Sequence, residues 1–215
     1  IHERLVGSEM CIRDRFARIA LKTNDIDFRA RVSGAEEGEF LAAKVAGNFS
    51  VHYSDIDSAD QILLIAFEPE EESPIVFLRI NKNFKKRGLK VTSVATKGSI
   101  AMDKLKADFI KVAPGAEAAA VAGVSLTAKS VILVGERASE SAGLISAAVA
   151  LAEKSGAKLA WIPRRAGERG ALEAGAFPTL LPGGRPVADS AARVDIAAAW
   201  GVDSLPATPG RTTHQ

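Results

Sequence analysis

The sequence is poor in the residues that most metal and redox chemistry uses. Its 215 residues include one cysteine, Cys11, and three histidines, His2, His52 and His214. A single thiol cannot form a disulfide, a Cys-based zinc site or an iron–sulfur site within the chain. The scattered histidines, two of them in the tails, argue against a histidine-centred metal site or a Ser/His/Asp triad and leave His52 as the sole candidate base. Long apolar runs are also missing: residues 62–67 and 147–152 fall far short of the roughly 18 residues that a membrane span needs. With 28 Lys plus Arg against 26 Asp plus Glu, the formal net charge of +2 supplies no basic footprint for nucleic acid. Most familiar catalytic inventories are therefore missing.

What is present is a core-forming composition, 47% hydrophobic and 25% charged. A chain of this length buries roughly 70% of its extended surface on folding, enough for one large or two small cores. Position 1 is not methionine, and residues 1–15 lack the apolar centre and small-residue cleavage site of a signal peptide. The run Ser8-Glu9-Met10-Cys11-Ile12-Arg13-Asp14-Arg15 resembles a translated sequencing-adapter read, so residues 1–15 read as a non-native leader and the chain as a fragment. The expected divisions after it are 16–57, an α/β region at 58–166, and a Gly/Pro-rich loop, short helix and tail at 167–215.

The α/β region is read from period changes. Gln61-Ile62-Leu63-Leu64-Ile65-Ala66-Phe67 is a short apolar run suited to a strand covered on both faces. Ser73 and Pro74 then suit a helix N-cap and first position, and Val76, Phe77, Ile80 and Phe84 recur at helical spacing as far as Gly88. A second strand over 89–94 completes a βαβ unit. The order recurs as a strand over 130–134, an Ala-rich helix over 139–154 stopped at Gly156, and a strand over 158–162. Two such units predict an α/β, doubly wound, mainly parallel sheet. Residues 99–109 read as a weak helix or connector, 114–124 as a small-residue helix, and 35–45 as a helix leading to the run 50–53. Residues 167–186 should be mostly loop, and 188–200 a short helix.

A doubly wound fold holds its ligand at strand-to-helix turns, usually a phosphate facing backbone N–H groups. The first turn instead carries Glu68, Glu70, Glu71 and Glu72, and neither a dinucleotide fingerprint nor a P-loop is present. It reads as a solvated acidic helix start. The second turn, Gly135 to Gly143, allows close approach of a ligand, or close packing around small residues. Arg164, Arg165, Arg169 and Arg185 surround the Gly/Pro-rich loop and suit either local acids or an interface. Lys82, Lys85, Lys86 and Arg87 read as a solvated helix end, residues 24–31 as a salt-bridged loop, and Trp161 and Trp200 as core or interface aromatics.

Four stretches carry a resemblance. Asn24-Asp25-Ile26-Asp27-Phe28-Arg29-Ala30-Arg31, Phe67-Glu68-Pro69-Glu70-Glu71-Glu72-Ser73-Pro74-Ile75-Val76, Trp161-Ile162-Pro163-Arg164-Arg165-Ala166-Gly167-Glu168-Arg169-Gly170-Ala171 and Leu181-Pro182-Gly183-Gly184-Arg185-Pro186 together resemble the G-subunit family of bacterial, actinobacterial-type NADH-quinone oxidoreductases. The resemblance covers about residues 16–211. It implies a piece of the large peripheral-arm subunit of respiratory complex I, on the cytoplasmic side of the bacterial inner membrane among other peripheral-arm subunits. The family's iron–sulfur ligands, for 2Fe-2S and 4Fe-4S clusters, lie in a Cys-rich region that has no counterpart here. The segment is similar to molybdopterin oxidoreductases, whose first unit typically reads Gly-x-Asn-Pro before its helix and ends its second strand in Asp-Pro-Arg. Here those positions read Ala66-Phe67-Glu68-Pro69 and Val94-Ala95-Thr96-Lys97. The resemblance thus implies a decayed pterin site at Ala66, Glu68, Pro69 and Ala95, no bound molybdopterin, and a structural role within an electron-transferring translocase. The alternatives are a fragment of an active molybdopterin enzyme such as formate dehydrogenase, or a free-standing nucleotide-binding α/β protein.

Overall fold

A computed structural model describes residues 11–29, 31, 34–48 and 51–212. They fall into two compact units: Phe49–Arg164, and a second combining the chain up to Asn48 with the chain from Arg165 onward.

The first unit runs α1 (Tyr53–Ser58), β1 (Gln61–Ile65), α2 (Pro69–Glu72), α3 (Pro74–Arg87), β2 (Lys90–Ala95), α4 (Ile100–Lys104), β3 (Asp108–Lys111), α5 (Glu117–Ala122), β4 (Val131–Gly135), α6 (Leu144–Ser155) and β5 (Lys158–Ile162). Its strands form one sheet in the order β3-β2-β1-β4-β5. Every pairing is parallel, with Ile62 beside both Val91 and Val131. This is the doubly wound α/β fold that the two βαβ units predicted. β1 and β4 are buried at all five positions, as continuous apolar strands covered on both faces must be. On one face Ile62, Leu64, Val91 and Leu133 pack with Val76, Phe77 and Ile80 of α3. Alternation sends Leu63, Ile65, Ile132 and Val134 to the other face, and α6 packs against β4 and β5 with Leu144, Ile145, Ala148 and Leu151 buried. Each fully buried Leu or Ile contributes about 1.5–3 kcal/mol relative to exposure.

The local signals hold in part. α3 begins with Pro74 at its first turn and ends at Gly88, whose backbone is left-handed, but the Ser73 side chain makes no capping bond. A separate short helix, α2, precedes it, and Glu68 caps that one. The Ala-rich helix starts at Leu144 rather than at 139. Gly143, expected inside it, takes φ 76°, a conformation that breaks the helix, and residues 136–140 form a tight 3-10 turn. The weak segment at 99–109 resolves into α4, capped by Ser99, followed by the edge strand β3.

In the second unit, residues expected to be loop contain the helix Glu168–Glu173 and a two-residue antiparallel pairing of Leu180–Leu181 with Arg185–Pro186. The helix Ser190–Trp200 is capped by Asp189, and Ala35–Phe40 continues as a wider helical turn through Leu41–Val45. The run 50–53 lies partly outside the described residues; Tyr53 opens α1.

Buried charge organises this second unit. Arg18, fully buried, donates to Asn24 Oδ1 (2.7 Å) and to the carbonyls of Gly175 (3.0 Å) and Leu180 (2.6 Å), and it pairs with Asp14. Burial lowers its pKa to about 10. Arg29 binds Asp27 (2.8 Å) and stacks over Phe177 at 4.7 Å, Arg31 binds Glu37, and Asp25 binds Arg211. The charged loop at 24–31 is salt-bridged where it is described; Ala30 lies outside the described residues.

Candidate functional site

The strand order reverses between β1 and β4, which is where open α/β sheets hold ligands beyond the strand carboxyl ends. A cleft of about 870 Å³ opens there, walled by residues that follow β1, β2 and β4. Ala66 and Glu68 come from the first turn, Ala95 to Ser99 from the second strand's end, and Arg137, Glu140 and Ser141 from the turn after β4. Three of the four positions read from the sequence as a decayed pterin site, Ala66, Glu68 and Ala95, thus line one cleft. The fourth, Pro69, is buried at the first turn of α2. Ala66 sits at φ 48°, a left-handed backbone that costs an L-residue about 1–2 kcal/mol and that glycine adopts freely. Gly135 passes directly against the backbone of Ala66 and Phe67. Close packing of two chain segments, rather than approach of a ligand, explains that glycine.

The first turn's amides are taken by the protein's own carboxylates. Glu68 Oε1 accepts from the backbone N–H of Glu70 (3.4 Å), and Glu72 Oε1 accepts from that of Glu68 (3.3 Å). Arg137 reaches across from the turn after β4 and donates to Glu72 Oε1 at 2.6 Å. The Glu72 side chain is 3% exposed, and burial holds its pKa above the usual carboxylate range against the opposing pull of Arg137 and Arg164. Nearby, Glu117 accepts from Gly115 N (2.7 Å) and Ser141 Oγ (2.8 Å). Its pKa falls below the usual range: partial burial pushes it up, and these hydrogen bonds outweigh that. A cofactor phosphate would meet carboxylates where it needs N–H groups, so these residues do not fit a pterin dinucleotide. The first turn is therefore only partly the solvated acidic start that its sequence implied, because Glu72 is buried.

The remaining candidates sit elsewhere. His52 precedes α1 on an exposed stretch, where its backbone N–H donates to Asp55 Oδ2 (2.7 Å). Arg165 pairs with Glu168 (3.2 Å), Arg169 with Glu173 (2.7 Å) and Arg185 with Asp195 (3.0 Å), while Arg164 is exposed. Trp161 is buried in the first unit; Trp200 lies in the second beneath Arg15, 5.3 Å away. Lys85, Lys86 and Arg87 occupy the exposed last turn of α3, and Lys82 is exposed one turn earlier on the same helix. Sequence reasoning missed Arg137 as the partner of Glu72. They are 65 residues apart, and the only available signal was a basic residue in the second strand-to-helix turn. Among the described residues no group of three or more acidic, His or Cys side chains could hold a metal ion.

Fold and cleft define a doubly wound α/β unit with an open cleft at the switch point of its parallel sheet. No family model matches the chain. It is 50% identical over 221 residues to the G subunit of NADH-quinone oxidoreductase from Mycobacterium tuberculosis, covering 96% of this chain and 27% of that protein. The corresponding Streptomyces coelicolor protein is 44% identical over 247 residues, 98% of this chain and 29% of that protein. The alpha subunit of an F420-dependent formate dehydrogenase from Methanocaldococcus jannaschii is 29% identical over 119 residues, 55% of this chain. Over nearly its whole length the chain is homologous to a segment of the NADH-quinone oxidoreductase G subunit, and it spans little more than a quarter of those relatives.

Proposed function

We propose that this chain is a structural, cofactor-free segment of the G subunit of an NADH-quinone oxidoreductase. The complete subunit passes electrons from NADH toward quinone through iron–sulfur clusters that lie outside this segment. It does so as a peripheral member of a proton-translocating complex, against other peripheral-arm subunits on the cytoplasmic side of the membrane. The observation that carries this reading is identity of 44–50% across 96–98% of the chain to proteins of that name. The carboxylates on the first-turn amides support the absence of a pterin. Among the described residues no helix is long and apolar enough to cross a membrane, which accords with a peripheral position. An active molybdopterin enzyme draws only on the weaker formate dehydrogenase similarity, 29% identity over 55% of the chain.

Affinity-tagging the full-length protein in its host tests the assignment. It should co-migrate on native gels with NADH:quinone oxidoreductase activity, and deletion of this segment should deplete the assembled complex. Migration with formate oxidation instead would overturn it.

A further inference from the structure

Among the described residues, the large apolar side chains that the first unit exposes are Tyr53, Ile75, Leu78 and Ile100, on α1, α3 and α4. Those three helices share one core with Ile62 and Leu64, so all four belong to one side of the sheet, and α6 on the other side exposes none. Tyr53 carries the Arg79 guanidinium on its ring at 4.4 Å, and Ile100 lines the cleft. That leaves Ile75 and Leu78 on the outward side of α3, 55% and 57% exposed. The same ridge continues through Lys82, Lys85 and Lys86, which are exposed and meet no carboxylate among the described residues. α3 has no acidic residue of its own, and its Arg79 and Arg87 are bonded to Asp57. Helix positions three and four apart lie one above another, so an apolar pair and three cations form a strip about 16 Å long.

We propose that an acidic segment of the same G subunit, outside this chain, docks along α3 with apolar side chains on Ile75 and Leu78 and carboxylates on the three lysines. This rests on the reading above only in taking the chain as part of such a subunit. Charge fixes the sign of the occupant, because a strip with three unpaired cations and no acid is complemented by carboxylates. A lipid surface is the poorer match. Apolar and basic groups follow one another along the axis instead of occupying opposite faces, and the continuous apolar face of α3, with Val76, Phe77 and Ile80, is in the core. Size decides between a free partner and a tethered one. A stable interface between separate proteins takes roughly 20–30 residues a side, far more than this strip offers. A segment of the same polypeptide acts at an effective concentration of about millimolar and needs no such area. Polypeptide for it exists, since this chain covers only 27–29% of the length of its G-subunit relatives.

The test is carbodiimide crosslinking of the full-length subunit, affinity-purified from its host, with the linked peptides read by mass spectrometry. The reagent joins an amine only to a carboxylate in contact with it. Lys82, Lys85 or Lys86 should be recovered linked to Asp or Glu of the same subunit outside these 215 residues, at higher yield than Lys154, which is exposed on α6. In I75S/L78S, two exposed positions whose exchange the fold tolerates, that yield should fall at least about fivefold. Links confined to residues 1–215, links only to a different subunit, or a yield no higher than at Lys154 overturn the proposal, as does an unchanged yield in I75S/L78S. Binding of the subunit to phosphatidylglycerol vesicles that K82Q/K85Q/K86Q abolishes assigns the strip to a membrane surface and overturns it too. The functional reading fails on a separate result, migration of the subunit with formate oxidation.

Discussion

Gly135 and Ala66 meet backbone to backbone where the sheet changes direction. A Cβ placed on Gly135 would overlap the Ala66 carbonyl and lie 3.0 Å from Phe67 Cα. The two strand ends that frame the cleft are thus spaced by the missing side chain of one residue. Gly135→Ala should destabilise the protein by about 1–3 kcal/mol through this overpacking, read from urea unfolding monitored by circular dichroism. Unchanged stability would mean that the strand ends do not approach this closely.

Ala66 gives the converse prediction. Its left-handed backbone costs about 1–2 kcal/mol, and glycine would relieve that while losing about 0.5–1 kcal/mol through its freer unfolded chain. Ala66→Gly should therefore stabilise by about 0.5–1 kcal/mol, although most glycine substitutions destabilise. A lower unfolding midpoint would contradict the left-handed conformation.

Glu72 sets a pH dependence of defined sign. Its pKa is raised in the fold, chiefly by burial, so its contribution to stability is complete below the ordinary value of 4.5 and is lost as pH rises through the folded value. Arg137→Ala removes the main compensating charge and should push that pKa higher. Thermal melts of R137A should therefore fall further below wild type at pH 7.5 than at pH 4.5. A pH-independent difference would show that the pair does not matter to the buried carboxylate.

Asp60 acts in the opposite sense. Hydrogen bonds from Thr127 (2.5 Å) and Ser130 (3.0 Å) hold its pKa below the usual range, the Thr127 contact being the larger influence, with desolvation opposing. Its stabilisation is present above the ordinary value of 3.8 and lost as pH falls through the folded one. Asp60→Asn should flatten the acid limb of the melting-temperature profile below about pH 4.

Arg18 is the corresponding test in the second unit. Removing its side chain leaves Asp14 buried without its partner and takes one donor each from the carbonyls of Gly175 and Leu180. Arg18→Ala should cost about 3–5 kcal/mol. Arg18→Lys should recover only part of this, since an ammonium lacks the planar fork that reaches Asn24 and both carbonyls.

The paired strands of the two βαβ units were legible because local signals mark each of them. The apolar runs around Leu63 and Leu133 leave no polar face, and Gly88 and Gly156 stop their helices at the residue. Helix starts were less legible: Gly143 reads as a tolerated interior glycine until its φ of 76° is known. The edge strand β3 is hidden because its half-exposed Phe109 and Ile110 lack the continuous burial that marks β1. In the cleft, the acidic first turn could be read as hostile to phosphate. The pairing of Glu72 with Arg137 could not, because nothing local to either residue encodes their meeting.

The most direct measurement is the metal and pterin content of the oxidoreductase complex purified anaerobically with the full-length protein in place. Mass spectrometry for molybdenum and fluorescence of oxidised pterin should both read background while iron remains present. Molybdenum and pterin stoichiometric with the protein would contradict a cofactor-free segment.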